Sequence, residues 1–244
     1  MRNRPIVLFV LMAVASAALA QRYDPLHPPN TFRNADNPYY WKNRPPFAGY
    51  WQQDVHYRIK ARLDETQDHA DGSVTLSYWN NSPDTLREVY FHLYPNLLDS
   101  AIEVSEVTVD GTEAATEVSG DSGSILRVAL PAPLAPGATT AVGMRFRTDV
   151  ATEIGRNYGV LAAYEEILAL AHFYPMLSVY DATGWNTAEA DIQGDLTYSD
   201  AGYYLVRVSA PAGVVLVASG VVVEEQGSGG AGAVSYTHLT LPTN

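Results

Sequence analysis

The chain predicts an all-β fold, an antiparallel β-sandwich or a saddle-like curved sheet, and three observations carry that prediction. Val55, Tyr57, Ile59, Ala61 and Leu63 alternate with His56, Arg58, Lys60 and Arg62, the period-2 pattern of a half-buried strand. At least seven short apolar segments follow one another between turn signals such as Asp110-Gly111 and Ala135-Pro136-Gly137. Val74, Leu76 and Tyr78 repeat the alternation after a polar stretch, so that the first two strands read as a hairpin.

Each segment follows from local chemistry. The strand at 55–63 and the alternating Val74, Leu76 and Tyr78 flank a polar stretch, Asp64 to Gly72, and predict a hairpin. Asn80-Asn81-Ser82-Pro83-Asp84 reads as a turn, and the formal glycosylation sequon at Asn81 is explained by that turn chemistry. Glu88 to Tyr94 then places Val89, Phe91 and Leu93 on one face and Tyr90, His92 and Tyr94 on the other. Bulk on both faces predicts a central or doubly covered strand. Ile102 to Val109, Ser124 to Leu130, Ala141 to Arg147, Tyr203 to Ser209 and Val214 to Ala218 complete the strand set. Val160 to Ala171 is either a short helix or a buried strand, and Asp181 to Ser199 is expected to be a loop.

The ends differ from the middle. Arg2 and Arg4, the apolar run Ile6 to Val14 and Ala18-Leu19-Ala20 form a signal peptide over residues 1–20, with cleavage after Ala20. That apolar run is shorter than the roughly 20 residues a spanning helix needs, so no membrane span is expected in the mature chain. The product is expected to be exported, periplasmic or extracellular. Residues 21–50 form an extended arm rich in proline (Pro25, Pro28, Pro29, Pro38, Pro45, Pro46) and in aromatics (Tyr39, Tyr40, Trp41, Phe47, Tyr50), suited to lying on a surface. Residues 51–233 form the β domain. Val234 to Asn244 resembles a translated sequencing adapter and is expected to be a non-native tail without a partner strand, on a truncated reading frame.

Composition narrows the chemistry. The net charge of −12 argues against nucleic acid, whose phosphates require Lys and Arg patches. With no cysteine there is no disulfide or thiolate metal site. The six histidines lack the i, i+4 spacing of a zinc helix, HExxH is absent, and His56 and His92 are expected to be structural. No Gly-x-Ser-x-Gly elbow is present. Glu165-Glu166 stands apart, as two adjacent carboxylates inside an otherwise apolar run. Either one faces a cavity and holds a substrate ammonium, or both sit solvated on an exposed helix edge.

Three blocks carry a family resemblance. They are Gly72-x-Val74-x-Leu76-x-Tyr78 with Asn81 to Leu86 and Glu88 to Asn96; Phe173-Tyr174-Pro175-Met176 with Tyr180-Asp181 and Gly184-Trp185; and Leu196 to Asp200 with Tyr203 to Val206, Val208, Pro211 and Val217 to Gly220. In this order they resemble the N-terminal β domain of aminopeptidase N-like zinc metallopeptidases, and Tyr40 to Pro46 looks like a secreted bacterial branch. The resemblance implies a parent that removes N-terminal residues from peptides with zinc held by a later catalytic domain, missing from this chain. It implies that Glu166, with Glu165 close behind, binds the free substrate amine. The expected partners are thus a peptide substrate and that catalytic domain, with no zinc bound and no peptidase activity in this chain alone. His172 stands where a polar residue is usual, and the usual downstream arginine is absent. Two other readings stay open: a stand-alone exported β-sandwich that binds protein or glycan, and a catalytically degenerate family member.

The signal-peptide reading is tested directly by mass spectrometry of the exported product. A new N-terminus at Gln21 is expected, and a product retaining Met1 contradicts it.

Overall fold

A computed structural model describes residues 45–64, 68–189, 197–211, 213–228 and 231–239. The signal peptide and most of the arm lie outside the described residues. In chain order the strands are β1 (Asp54–Asp64), β2 (His69–Trp79), β3 (Leu86–His92), β4 (Ala101–Val109), β5 (Thr112–Glu113), β6 (Thr116–Ser119), β7 (Ile125–Leu134) and β8 (Thr139–Asp149). They continue as β9 (Leu161–Tyr164), β10 (Ile167–Leu170), β11 (Met176–Leu177), β12 (Tyr180–Asp181), β13 (Gly184–Trp185), β14 (Gly202–Pro211), β15 (Val221–Ser228) and β16 (Ala231–Leu239).

Two sheets form the sandwich. The larger has eight strands in the order β15-β16-β14-β1-β2-β8-β4-β5, and the smaller has four, β11-β3-β7-β6. Among the described residues the strand pairings are antiparallel except β1 with β14, which run parallel, and a single parallel bridge joins Ala151 to Ala162. The expected hairpin forms, with Val55 opposite Tyr78 and Leu63 opposite Ala70. Inward residues of both sheets, among them Ile59, Leu76, Val89, Phe91, Val128 and Val142, share one buried core. This is the interdigitation expected when alternating strands face each other.

β3 lies between β7 and β11. Val89 and Phe91 are fully buried, and Tyr90 on the opposite face is half-buried against Trp185, with ring centroids 5.8 Å apart. The expectation of a central strand covered on both faces therefore holds.

The polar turn before β3 is built around Asn80, which is completely buried. Its amide donates to Asp84 O (2.7 Å) and Leu134 O (3.1 Å). Its side-chain oxygen accepts from the Ser82 hydroxyl (2.6 Å) and the Ser82 N–H (3.2 Å). Its backbone N–H donates to Ala138 O, and its carbonyl accepts from Gly137 N–H. The Asn81 amide is engaged as well, with Gln52 O and the Asp54 carboxylate, each at 2.8 Å. Gly137, at φ +76, takes the third position of the turn closed by Ala138 N–H to Ala135 O, as expected after Pro136.

Four expectations need correction. Val160 to Ala171 contains no helix: the β9–β10 hairpin occupies its centre, with Tyr164 opposite Ile167. A two-residue loop lets so short an apolar run turn back on itself. Val214 to Ala218 is not a strand, because the chain leaves the sheet after Pro211 and Val215 and Val217 are strongly exposed. β7 continues through Pro131 and Pro133, residues exposed at the end of the strand where a missing N–H costs little. Finally, Val234 to Leu239 has partners: β16 pairs with β14 on one side and β15 on the other. The strand crosses the expected boundary at 234. Backbone pairing needs few particular side chains, so it carries no information on the origin of those residues.

Asn80→Ala removes two donors and an acceptor from a closed cavity. At about 1–3 kcal/mol for each buried group left unpaired, the variant is expected to lose several kcal/mol in a urea titration. A loss below about 1 kcal/mol contradicts the role given to this turn.

Candidate functional site

A groove of about 1710 Å³ opens beside the parallel β1–β14 pair. Ile59, Leu63, Val206 and Val208 form its sheet-borne wall, the β9–β10 hairpin forms a second wall, and Val214 to Ser219 border it. Tyr174 and Tyr204 give it an aromatic floor, backed by the buried Tyr57. Tyr57 and Tyr204 stack with centroids 4.5 Å apart, and Tyr174 meets both edge-on at 5.8 and 6.2 Å. The Tyr57 hydroxyl oxygen accepts from Leu177 N–H at 2.9 Å and so joins the large sheet to β11 of the small one. Burial, with Tyr204 nearby, raises the Tyr57 hydroxyl well above its ordinary pKa, so it stays neutral.

Both sequence-predicted site residues reach this groove. Glu165 and Glu166 are the two loop residues of the β9–β10 hairpin, and both line the opening with exposed side chains. Both have left-handed backbones, φ 47 and φ 65. A two-residue hairpin with both loop residues at positive φ favours Asn-Gly, because a Cβ in that region crowds the carbonyl. Two glutamates there cost about 1–3 kcal/mol each. Neither carboxylate forms an ion pair among the described residues. The exposed helix edge that was the alternative reading is thus an exposed hairpin tip.

His172, also left-handed at φ 57, lines the groove and lies 5.5 Å from the Tyr94 ring. His92 stacks on the same Tyr94 ring, 5.1 Å away, and its Nε2 pairs with Asn186 O at 3.0 Å. The carbonyl acceptor fixes Nε2 as the protonated nitrogen. His56 packs edge-on against Tyr203 at 4.8 Å. His56 and His92 are therefore packed into the fold as expected.

Sequence reasoning missed Asp200 as a chemical feature. It lines the groove, and its Oδ2 is buried without a hydrogen-bond partner among the described residues. Burial raises its pKa to about 7, opposed by a hydrogen bond from Gln52 and reinforced by Asp54 and Asp181. The only sequence signal was its place in the Tyr198-Ser199-Asp200 block, which does not reveal a buried carboxyl.

Zinc, implied for the parent, does not fit this chain: among the described residues no group of three or more His, Cys, Asp or Glu is close enough to hold a metal ion. Among the described residues, no helix is long and apolar enough to cross a membrane.

No family model and no curated protein matches the chain. Solved structures do. The M1 zinc metallopeptidase from Deinococcus radiodurans is similar at 19% identity over 79% of this chain and 40% of that one, with a TM-score of 0.51. A point mutant of it reaches 0.54 at the same identity and coverage. A two-domain M1 zinc metallopeptidase mutant bound to L-arginine has a TM-score of 0.50 at 19% identity, covering 80% of this chain and 40% of that one. The chain thus has a β fold found within M1 zinc metallopeptidases, and it spans about 40% of the length of these structures.

The titrating groups pull stability in opposite directions. A carboxyl whose folded pKa exceeds its unfolded value binds its proton more tightly in the fold, so the Asp200 contribution declines from about pH 4 to about pH 7. His56 is pushed down to about 4 by burial and then by Arg58, and burial lowers His172. Burial also lowers His92, against its bond to Asn186. These imidazoles protonate more readily when unfolded, so stability falls as pH drops below about 6.5. Asp200→Asn is expected to stabilise the fold at pH 8 by an amount on the order of a few kcal/mol, a gain that shrinks toward pH 4. Urea titrations across that range check it, and a gain independent of pH contradicts it.

Proposed function

We propose that this chain is the N-terminal β domain of an exported zinc aminopeptidase, which flanks the substrate while a separate catalytic domain of the same protein performs the hydrolysis. The supporting observation is the β9–β10 tip. Two glutamates hold a turn conformation that other residues adopt more readily, at the mouth of a largely apolar groove. Left-handed residues also occur elsewhere in the chain, among them Glu106, Asp110 and Tyr158; what favours use at this tip is that two strained glutamates coincide with the mouth of the groove. The likeness to M1 zinc metallopeptidases supports the same reading, because the name of those proteins states a zinc-dependent peptidase.

In this reading Glu166, with Glu165 beside it, accepts charge-assisted hydrogen bonds from the free ammonium of a peptide and fixes its register. The apolar wall of the groove accompanies it. Zinc and the residues that act on the scissile bond belong to the catalytic domain. This chain alone is expected to bind no zinc stoichiometrically and to turn over no substrate.

The intact protein, assayed with an aminoacyl chromogenic substrate, is expected to be active and to lose activity to a chelator. Glu166→Gln is expected to raise KM by about 10–100-fold, the loss of about 1.4–2.8 kcal/mol of ammonium binding, with a smaller change in kcat. An inactive intact protein supports a degenerate member or a stand-alone binding module instead. An active one with unchanged KM in Glu166→Gln removes the amine-binding role.

A further inference from the structure

Along the β11 edge of the small sheet four half-buried rings form a continuous platform, in which Tyr180 and Trp185 also pack against the core. Trp51 stacks on Tyr180 with centroids 5.8 Å apart, Tyr180 meets Trp185 at 5.0 Å, and Trp185 meets Tyr90 at 5.8 Å. The platform is assembled from three places: the end of the arm, β3 and the β12–β13 hairpin. Its border is acidic. The Tyr180 hydroxyl donates to Asp84 at 2.9 Å, the Tyr90 hydroxyl donates to Glu88 at 2.9 Å, and Asp181 stands in the β12–β13 hairpin. Arg127 holds Glu88 through Nε at 2.6 Å.

We propose that this aromatic platform is the docking surface for the protein's own N-terminal arm, residues 21–46, which straps across it. Three observations select this occupant. The first is direction. Phe47 to Tyr50 form a turn, closed by Tyr50 N–H to Phe47 O at 3.2 Å with Gly49 at φ +82, immediately before Trp51. The chain that precedes Phe47 is thereby turned back beside Trp51, with Pro45 to Gly49 exposed. Positive φ at the third turn position is what glycine supplies without strain.

The second is composition. The arm carries Pro25, Pro28, Pro29, Pro38, Pro45 and Pro46 together with Tyr39, Tyr40 and Trp41. Proline-rich extended segments dock on aromatic-lined surfaces because little conformational freedom is left to lose. At about 3.1 Å per residue in such a conformation, the stretch from Phe47 back to Trp41 spans about 19 Å beyond the turn, enough to run along the platform.

The third is charge. Residues 21–46 carry Arg22, Arg33, Lys42 and Arg44 against Asp24 and Asp36, whereas residues 47–244 carry nine Lys and Arg against twenty-five Asp and Glu. A cationic arm tethered beside Asp84 and Asp181 is attracted to that border, where Glu88 is already paired with Arg127. Tethering also gives it an effective concentration in the millimolar range. The strap is independent of the peptidase reading, and its failure leaves that reading untouched.

The chain lacks cysteine, so a pair introduced as Lys42→Cys and Ala182→Cys in the full chain takes spin labels at those two sites alone. Electron-spin distance measurements are expected to give one short, narrow distribution. It is expected to broaden with Trp41→Ala, a change in the arm that spares the β domain, and to broaden with rising salt. A broad distribution that responds to neither Trp41→Ala nor salt overturns the strap. Adding soluble oligosaccharides or a free proline-rich peptide gives the final discrimination. Displacement of the arm by such a peptide supports the proposal. A tryptophan fluorescence response to oligosaccharide with the label distance already broad overturns it in favour of a glycan platform.

Discussion

The fully buried Asn80 amide is the interaction on which the sandwich depends. It closes β2, opens the turn into β3 and holds the carbonyl that ends β7, while its own backbone pairs with the turn that opens β8. Four strands thus meet at one residue, whose side-chain donors and acceptor and whose backbone are all used. Buried polar groups satisfied in this way specify a single arrangement, because any slip leaves several of them unpaired in a medium that cannot replace water. The core supplies the bulk of the driving force, but apolar contact alone tolerates many registers. The turn is what places Val89 and Phe91 inward and Tyr90 outward.

A second constraint sits at the opposite side of the large sheet. β14 joins β1 in parallel, against the antiparallel habit of the remaining pairs. The Tyr57–Tyr204 stack that this register creates, with the Leu177 N–H held by the Tyr57 hydroxyl, ties the sheets together and backs the groove, which Tyr204 lines. The β9–β10 hairpin then rises as a wall whose tip carries Glu165 and Glu166. Stability and candidate chemistry are therefore separated by a few residues. The floor is neutral, aromatic and rigid, and the rim is charged and strained.

The electrostatics of the molecule follow the same division. Burial keeps His56, His92 and His172 neutral and holds the Asp200 carboxyl protonated up to about pH 7. The excess of negative charge lies on exposed strand faces and turns, where water solvates it. A chain so acidic at its surface gains from any cationic segment it can hold close, and the arm is the cationic segment that its own sequence contains.

Much of this was legible in the residues alone, for a local reason. Alternation of apolar side chains reports directly on strand faces, so β1, β2, β3, β4 and β8 follow from the sequence. Asp110-Gly111 and Gly137 mark turns because their backbones hold positive φ; the end of β4 at Val109 fell where expected, whereas β7 runs on past Leu130 to Leu134 and β8 already begins at Thr139. The pairing of Glu165 with Glu166 was visible as an oddity in an apolar run. What only the tertiary structure decided is non-local. A short apolar run such as Leu161 to Leu170 has no periodicity long enough to separate helix from hairpin. The failure of Val214 to Ala218 to join a sheet depends on which edges were already taken by β16 and β1. The burial of Asp200 depends on groups brought to it from other segments. Sequence spacing encodes which face of a strand is apolar, but the identity of the neighbour across a sheet or groove is settled only when the whole chain competes for the same contacts.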